Sequence, residues 1–122
     1  MAYVRYIVSD VQRAVDFYGG LLGFKTQEQF PAMAIMKHDD LTLWLAGARA
    51  SASIPMPDGR KPEPGGWNRF VLETPDIEAL VARLKAAGAK FRNEIVSGPG
   101  GKQILVEDPS GNVVELFQPA TG

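Results

Sequence analysis

The side chains of this chain that could do chemistry are a small set of charged and aromatic residues set into short apolar segments. They are Tyr3, Arg5, Trp44, Arg69, Glu73, Glu115 and Phe117. Arginine offers planar paired donors to a carboxylate or carbonyl, and aromatic rings offer stacking area. We therefore expect these residues to bind a small planar or anionic molecule. A purely structural alternative is equally open, in which Arg5 and Arg69 pair with Glu73 and Glu115 and only fill the fold.

Other catalytic chemistries find little support in the residue types. The chain has no cysteine, which excludes disulfides, thiolate catalysis and sulfur-ligated metals. Its one histidine, His38, falls in a predicted hairpin turn, where a solvated role is more usual than a metal-binding one. No serine or threonine lies near a histidine base, so a Ser-His-Asp nucleophile is excluded. Glu115 is the one candidate for a general base, and it would act alone.

Composition favours an ordinary globular protein. The 122 residues are 45% hydrophobic and 22% charged, which predicts a single domain over residues 1–122. A net charge of −1 leaves no electrostatic footprint for nucleic acid or a membrane surface. No apolar stretch is long enough to span a bilayer, and the first residues lack the layout of a signal peptide. We therefore expect a cytoplasmic protein that binds neither nucleic acid nor membrane.

The sequence contains an internal repeat of two similar units. Residues 1–46 and 67–119 each open with an apolar strand, continue through an acidic helix start and an amphipathic helix to a glycine, and end in further strands. A fixed internal repeat usually is the architecture, because each unit buries its apolar face against its twin. The pattern predicts an α+β fold built from two tandem β-α-β-β-β modules. Residues 47–66, rich in proline and glycine, join them as either a spacer or a lid.

The helix starts are predicted from capping patterns. In the first copy Ser9 and Gln12 have the spacing of a capping box, and Asp10 adds favourable negative charge. In the second copy Thr74 is a predicted cap, followed by Pro75 at the first helical position.

The strands follow from apolar runs and alternation. Beyond the opening strands, they are predicted at 24–30, 32–37, 41–46, 90–93, 102–107 and 112–118. Because strand side chains alternate, Val113, Glu115 and Phe117 share one face. Val114 and Leu116 then turn towards the helix.

These patterns resemble the vicinal oxygen chelate superfamily, which includes glyoxalase I, extradiol dioxygenases, fosfomycin-resistance enzymes and bleomycin-resistance proteins. The resemblance is most specific over residues 9–18, with 21–24, and over 107–116. It implies a cupped, eight-stranded mixed sheet assembly with helices outside and a ligand cavity on the concave face. It also implies a homodimer, since members of the family usually dimerise.

The resemblance further implies where a metal would be held. The family's metal enzymes take ligands from the first and last strand of each module, commonly His or Gln, Glu, His and Glu. These positions fall on Tyr3, Trp44, Arg69 (or Asn68 one residue earlier) and Glu115. Only Glu115 is a plausible ligand, and a divalent cation needs several nitrogen or oxygen ligands. We therefore expect no metal and no cofactor.

Two functions are consistent with the resemblance. The first is a metal-free small-molecule-binding module, since bleomycin-resistance proteins work by binding without chemistry. The alternative is a lyase or dioxygenase of the same superfamily, with unconventional metal ligation or with Glu115 as general base.

Overall fold

The computed structural model describes residues 2–120, which form two units that each pack a helix against one face of a mixed sheet. The first unit extends to Gly65 and takes in Pro109–Asn112, and the second contains Gly66–Asp108 and continues from Val113. The α+β class that the sequence predicts is confirmed. None of the helices among residues 2–120 is long and apolar enough to cross a membrane.

The first unit contains a four-stranded sheet and one helix. Its elements are β1 (Ala2–Ile7), α1 (Val11–Asp16), a π-helical turn (Phe17–Leu21), β2 (Lys25–Gln29), β3 (Met33–His38), β4 (Leu41–Ala46) and a short 3₁₀ turn (Ser51–Ser53). The strand order is β1-β4-β3-β2, with β1 and β4 parallel and the other pairs antiparallel. The parallel pair is possible because the helix carries the chain from one end of the sheet back to the other.

Alternation divides the side chains of this sheet between two faces. Strands β3 and β4 contact α1, and their fully buried side chains include Ala34, Met36, Leu43 and Leu45. The opposite face carries Tyr3, Arg5 and Trp44, with Arg5 directly opposite Trp44 on the neighbouring strand. The helix therefore seals one face of the sheet and leaves the chemically interesting side chains on the other.

The capping-box prediction for the first helix is wrong, because the helix begins one residue later than that pattern predicts. Asp10 is the N-cap, and its Oδ1 accepts a hydrogen bond from the Arg13 backbone N–H at 3.0 Å. The predicted cap, Ser9, instead pairs with Ser110, and Gln12 donates to Asp16 rather than returning to the helix start. A carboxylate is favoured at this position because it meets the positive end of the helix with a full charge.

The second helix is also capped by an aspartate. Asp76 is its N-cap and accepts from the Ala79 N–H at 3.1 Å, whereas Thr74 only accepts from the Asp76 N–H at 3.3 Å. The predicted Thr74 cap is therefore wrong, and Pro75 precedes the helix instead of opening it.

The second unit repeats the plan with one strand divided. Its elements are β5 (Phe70–Glu73), α2 (Ile77–Ala86), β6 (Lys90–Phe91), β7 (Val96–Gly98), β8 (Gly101–Glu107) and β9 (Val113–Pro119). The order is β5-β9-β8-β6, β7 also pairs with β8, and β5 and β9 are parallel. The predicted strand 90–93 stops early because the Asn93 side chain accepts the Leu105 N–H at 2.9 Å, which takes the place of a backbone partner. The described residues thus contain nine strands, one more than the resemblance implies.

The long connection over residues 47–66 is anchored at both ends. At its start the Gly47 N–H donates to the Ala32 carbonyl at 2.8 Å. At its end the Gly65 N–H donates to Asn112 Oδ1, and Asn112 Nδ2 donates to the Ile7 carbonyl, each at 2.8 Å. Asn112 is only 3% exposed, and these partly buried hydrogen bonds hold the end of the connection beside the end of β1.

Candidate functional site

The first unit brings Tyr3, Arg5 and Trp44 together on the open face of its sheet. The Arg5 guanidinium carbon lies 4.7 Å from the centroid of the Trp44 ring, which is the geometry of a cation–π contact. The Tyr3 ring meets Trp44 edge-on, with 5.7 Å between centroids and an interplanar angle of 86°. Together with Val4 these residues line an open groove of about 550 Å³. We call this the first-unit groove.

The indole nitrogen of Trp44 is the one unusual polar atom of the groove. Nε1 is buried and has no hydrogen-bond partner within residues 2–120. A buried donor without an acceptor costs about 1–3 kcal/mol of folding free energy. The ring is therefore held by packing and by Arg5 rather than by a hydrogen bond of its own.

The second unit brings Arg69 and Glu115 together at the corresponding places. Arg69 Nε and Nη2 each donate to Glu115 Oε1 at 3.1 Å, and Nη1 donates to the Trp67 carbonyl at 3.3 Å. The glutamate side chain is 12% exposed and the arginine side chain 32% exposed. Arg69 is thus already occupied by acceptors of its own unit.

The structure places Glu73 and Phe117 opposite each other on β5 and β9. Glu73 is exposed and Phe117 is half-buried. Among the described residues of the second unit no lysine or arginine forms an ion pair with Glu73, and among those of the first unit no carboxylate pairs with Arg5. Of the structural network in which Arg5 and Arg69 pair with Glu73 and Glu115, only the pair of Arg69 and Glu115 forms within one unit.

A second arginine cluster is not predicted from the sequence. Arg92 donates to Glu107 Oε2 at 2.8 Å and to the Gly66 carbonyl at 2.6 Å, and its guanidinium lies 4.4 Å from the Trp67 ring centroid. In the sequence, the opposite charges of Arg92 and Glu107 are the only sign of this pair. They predict it only once β6 is known to pair with β8, because the two residues are 15 positions apart.

Comparison with known proteins identifies the family. The model of the Glyoxalase/Bleomycin resistance protein/Dioxygenase superfamily matches residues 1–116. The chain belongs to this superfamily. The resemblance stated from the sequence is therefore confirmed.

Relatives within the superfamily include both an enzyme and a binding protein. A lactoylglutathione lyase from Pseudomonas putida is 23% identical over 140 aligned positions, which cover 92% of this chain and 80% of the relative. The structure of TnmS3, an antibiotic binding protein from Streptomyces sp. CB03234, is 30% identical and superposes with a TM-score of 0.73, covering 97% of this chain and 93% of the other. A lactoylglutathione lyase structure from Agrobacterium tumefaciens gives a TM-score of 0.75 at 18% identity, with coverage of 97% and 92%. The last of these supports the fold alone.

The residues at the superfamily's metal-ligand positions do not fit a divalent cation. In the first unit these positions hold the ring pair of Tyr3 and Trp44, and in the second they hold the ion pair of Arg69 and Glu115. Residues 2–120 contain no group of three or more His, Cys, Asp or Glu side chains that could hold a metal ion. His38 packs against Phe24, with 5.1 Å between the ring centroids. An indole, a phenol and a guanidinium offer a cation no useful set of ligands.

We expect the purified protein to bind no divalent cation stoichiometrically. Protein from a medium supplemented with nickel, zinc, iron and manganese, dialysed without chelator, should carry well under about one metal ion per chain in elemental analysis. A sample treated with EDTA serves as the baseline. One tightly held ion per chain in the untreated sample would show that these side chains do form a metal site.

We expect Glu115→Ala to lower the free energy of unfolding by about 1–3 kcal/mol, because it leaves Arg69 without its carboxylate in a partly covered setting. Urea unfolding provides the measurement.

Glu78→Ala is the matched control, since Glu78 pairs with Lys102 at 2.7 Å but lies on the surface. The Lys102 hydrogen bond holds the pKa of Glu78 below its ordinary value, so its small contribution is lost only as the pH falls through that lowered pKa. Equal midpoint shifts for the two variants would contradict a supporting role for Glu115.

Proposed function

We propose that this protein is a metal-free module that binds a small planar or anionic molecule in the first-unit groove. The observation that carries the proposal is the Arg5–Trp44–Tyr3 group, which combines a cation and two large rings on an open sheet face. A groove of about 550 Å³ falls within the usual range for small-molecule sites.

The donor set at the metal-ligand positions supports binding over metal-dependent chemistry. At these positions the rings of Tyr3 and Trp44 contact each other in the first unit, and Arg69 and Glu115 form an ion pair in the second. A substrate activated by a bound cation would need those positions to hold oxygen or imidazole ligands instead. The likeness to an antibiotic binding protein at 30% identity points the same way.

The enzymatic alternative is a lyase or dioxygenase that uses unconventional ligands or Glu115 as general base. The likeness to a lactoylglutathione lyase is the reason to keep it as an outcome of the test. Glu115 is a poor candidate for the base because its Oε1 receives two hydrogen bonds from Arg69 and its side chain is 12% exposed. Arg69, Glu73, Glu115 and Phe117 lie in the second unit. Their part in ligand binding stays a prediction, and the first-unit groove is proposed without them.

The proposal includes a homodimer. Each sheet ends in strands that pair on one side only within that sheet, and the exposed side chains Tyr3 and Val71 add apolar surface on the first strand of each unit. Light scattering at micromolar concentration should give twice the chain mass of 13.2 kDa. A mass of one chain would remove the dimer from the proposal and leave the groove in place.

The binding function is tested by a ligand screen read through Trp44. Because the chain has two tryptophans, Trp67→Phe leaves Trp44 as the sole indole reporter. A screen of planar and anionic metabolites by thermal shift should yield a compound that raises the melting temperature and quenches Trp44 fluorescence. Trp44→Ala should weaken its binding by about 1–3 kcal/mol, the scale of one lost aromatic surface.

Two results would contradict the proposal. One is a bound compound whose affinity is the same in the Trp44→Ala variant, which would place binding elsewhere. The other is turnover in a lactoylglutathione lyase assay that depends on an added metal ion, which would favour the enzymatic alternative.

A further inference from the structure

The two arginines on the open sheet faces differ in what they already bind. Arg69 donates to Glu115 through two nitrogens and to the Trp67 carbonyl through the third, so each of its nitrogens has an acceptor and its charge is compensated within its own unit. Arg5 has no carboxylate partner among the described residues of the first unit, and its contact there is the face of Trp44. The repeat therefore carries one neutralised arginine and one whose charge is still available.

The contact between Arg5 and Trp44 is a cation–π contact and involves no acceptor for the guanidinium N–H groups. A guanidinium is planar, and its N–H donors all lie in that plane. Its central carbon lies 4.7 Å from the indole centroid, so the guanidinium is held over the ring by a cation–π contact and not by a hydrogen bond. A carboxylate is bound edge-on by two parallel N–H groups, so the cation–π contact and anion binding are compatible.

Tyr3 adds an aromatic surface at a fixed distance from that edge. Tyr3 and Arg5 are alternate residues of β1 on one face, which separates their Cα atoms by roughly 6–7 Å. Tyr3 is 61% exposed although its ring is in a T-shaped contact with Trp44. A ligand ring can therefore lie on Tyr3 while an acidic group attached to that ring reaches Arg5.

We infer that the first-unit groove selects planar aromatic monoacids, with Arg5 as the residue that recognises the acidic group. This inference rests on the proposed binding function and narrows its ligand to one chemical class. A neutral analogue loses the charge-assisted pair of hydrogen bonds, and a cationic analogue meets the uncompensated charge of Arg5. A second negative charge gains little, because Arg5 is the one cation among the residues that line the groove.

The test compares three probes of one shape. They are 2-naphthoate, the neutral 2-naphthamide and the cationic 2-(aminomethyl)naphthalene, titrated into the full chain by calorimetry. We expect naphthoate to bind at least about tenfold more tightly than the amide, with a preference that weakens as salt is added. The cationic probe should bind more weakly than either.

Variants assign the preference to one residue. Arg5→Gln should bring the naphthoate and amide affinities to within about twofold of each other, and Arg5→Lys, which keeps the charge but loses the planar fork, should retain part of the difference. Arg13→Gln is the control, because it removes the same charge from α1, on the other face of the same sheet. It should leave the preference unchanged.

The outcomes separate this inference from the function on which it rests. Equal affinities of wild-type protein for naphthoate and naphthamide would overturn the aromatic-acid class, and so would a preference that survives Arg5→Gln or vanishes in Arg69→Gln alone. In each case a ligand from the unbiased screen that requires Trp44 would still support the proposed binding function. If that screen yields no ligand and none of the three probes binds, the result contradicts both the aromatic-acid inference and the proposed binding function.

Discussion

The parallel pairing of the first and last strand in each unit is the constraint on which the site depends. β1 lies beside β4, and β5 lies beside β9, with a helix returning the chain between the strands. This register sets Arg5 opposite Trp44 and Val71 opposite Glu115. A shift of one residue would turn every one of these side chains to the helix-covered face. The buried leucines of β4 oppose such a shift, because they would lose their packing against α1.

One backbone plan therefore carries two different kinds of chemistry. At corresponding positions the first unit holds a pair of rings and the second holds an ion pair. Neither arrangement resembles a set of metal ligands. The superfamily scaffold specifies where side chains point but not what they do, so function has to be argued from the residues that occupy those places.

The difference between the two arginines follows from their neighbours rather than from their own type. Arg69 meets a carboxylate that is mostly covered, which makes the pair an internal support. Arg5 meets an indole, which fixes the guanidinium without neutralising it. An aromatic neighbour is a way to hold a charged group in place while keeping its field for a ligand. The two units of the repeat therefore differ in whether the charge of their arginine is compensated.

The sequence by itself determined the elements of this fold and the face on which most side chains lie. Helical and strand periodicities are local, so alternation along one strand is enough to assign Val114 and Leu116 to the helix side and Glu115 to the other. The family could also be named from local motifs. Local sequence does not decide the caps, because the adjacent residues Ser9 and Asp10 can both cap the same helix and Asp10 does so.

Only the tertiary structure decided which side chains meet. Arg69 and Glu115 are 46 positions apart, and Asn112 joins Gly65 to Ile7 across gaps of 47 and 105 positions. Arg5 could have been matched to a glutamate by charge alone, yet strand register places it on Trp44 instead. Charge and size predict what a side chain is able to bind. Its actual partner depends on chain topology, because contacts between distant segments form only after strand order and register are set.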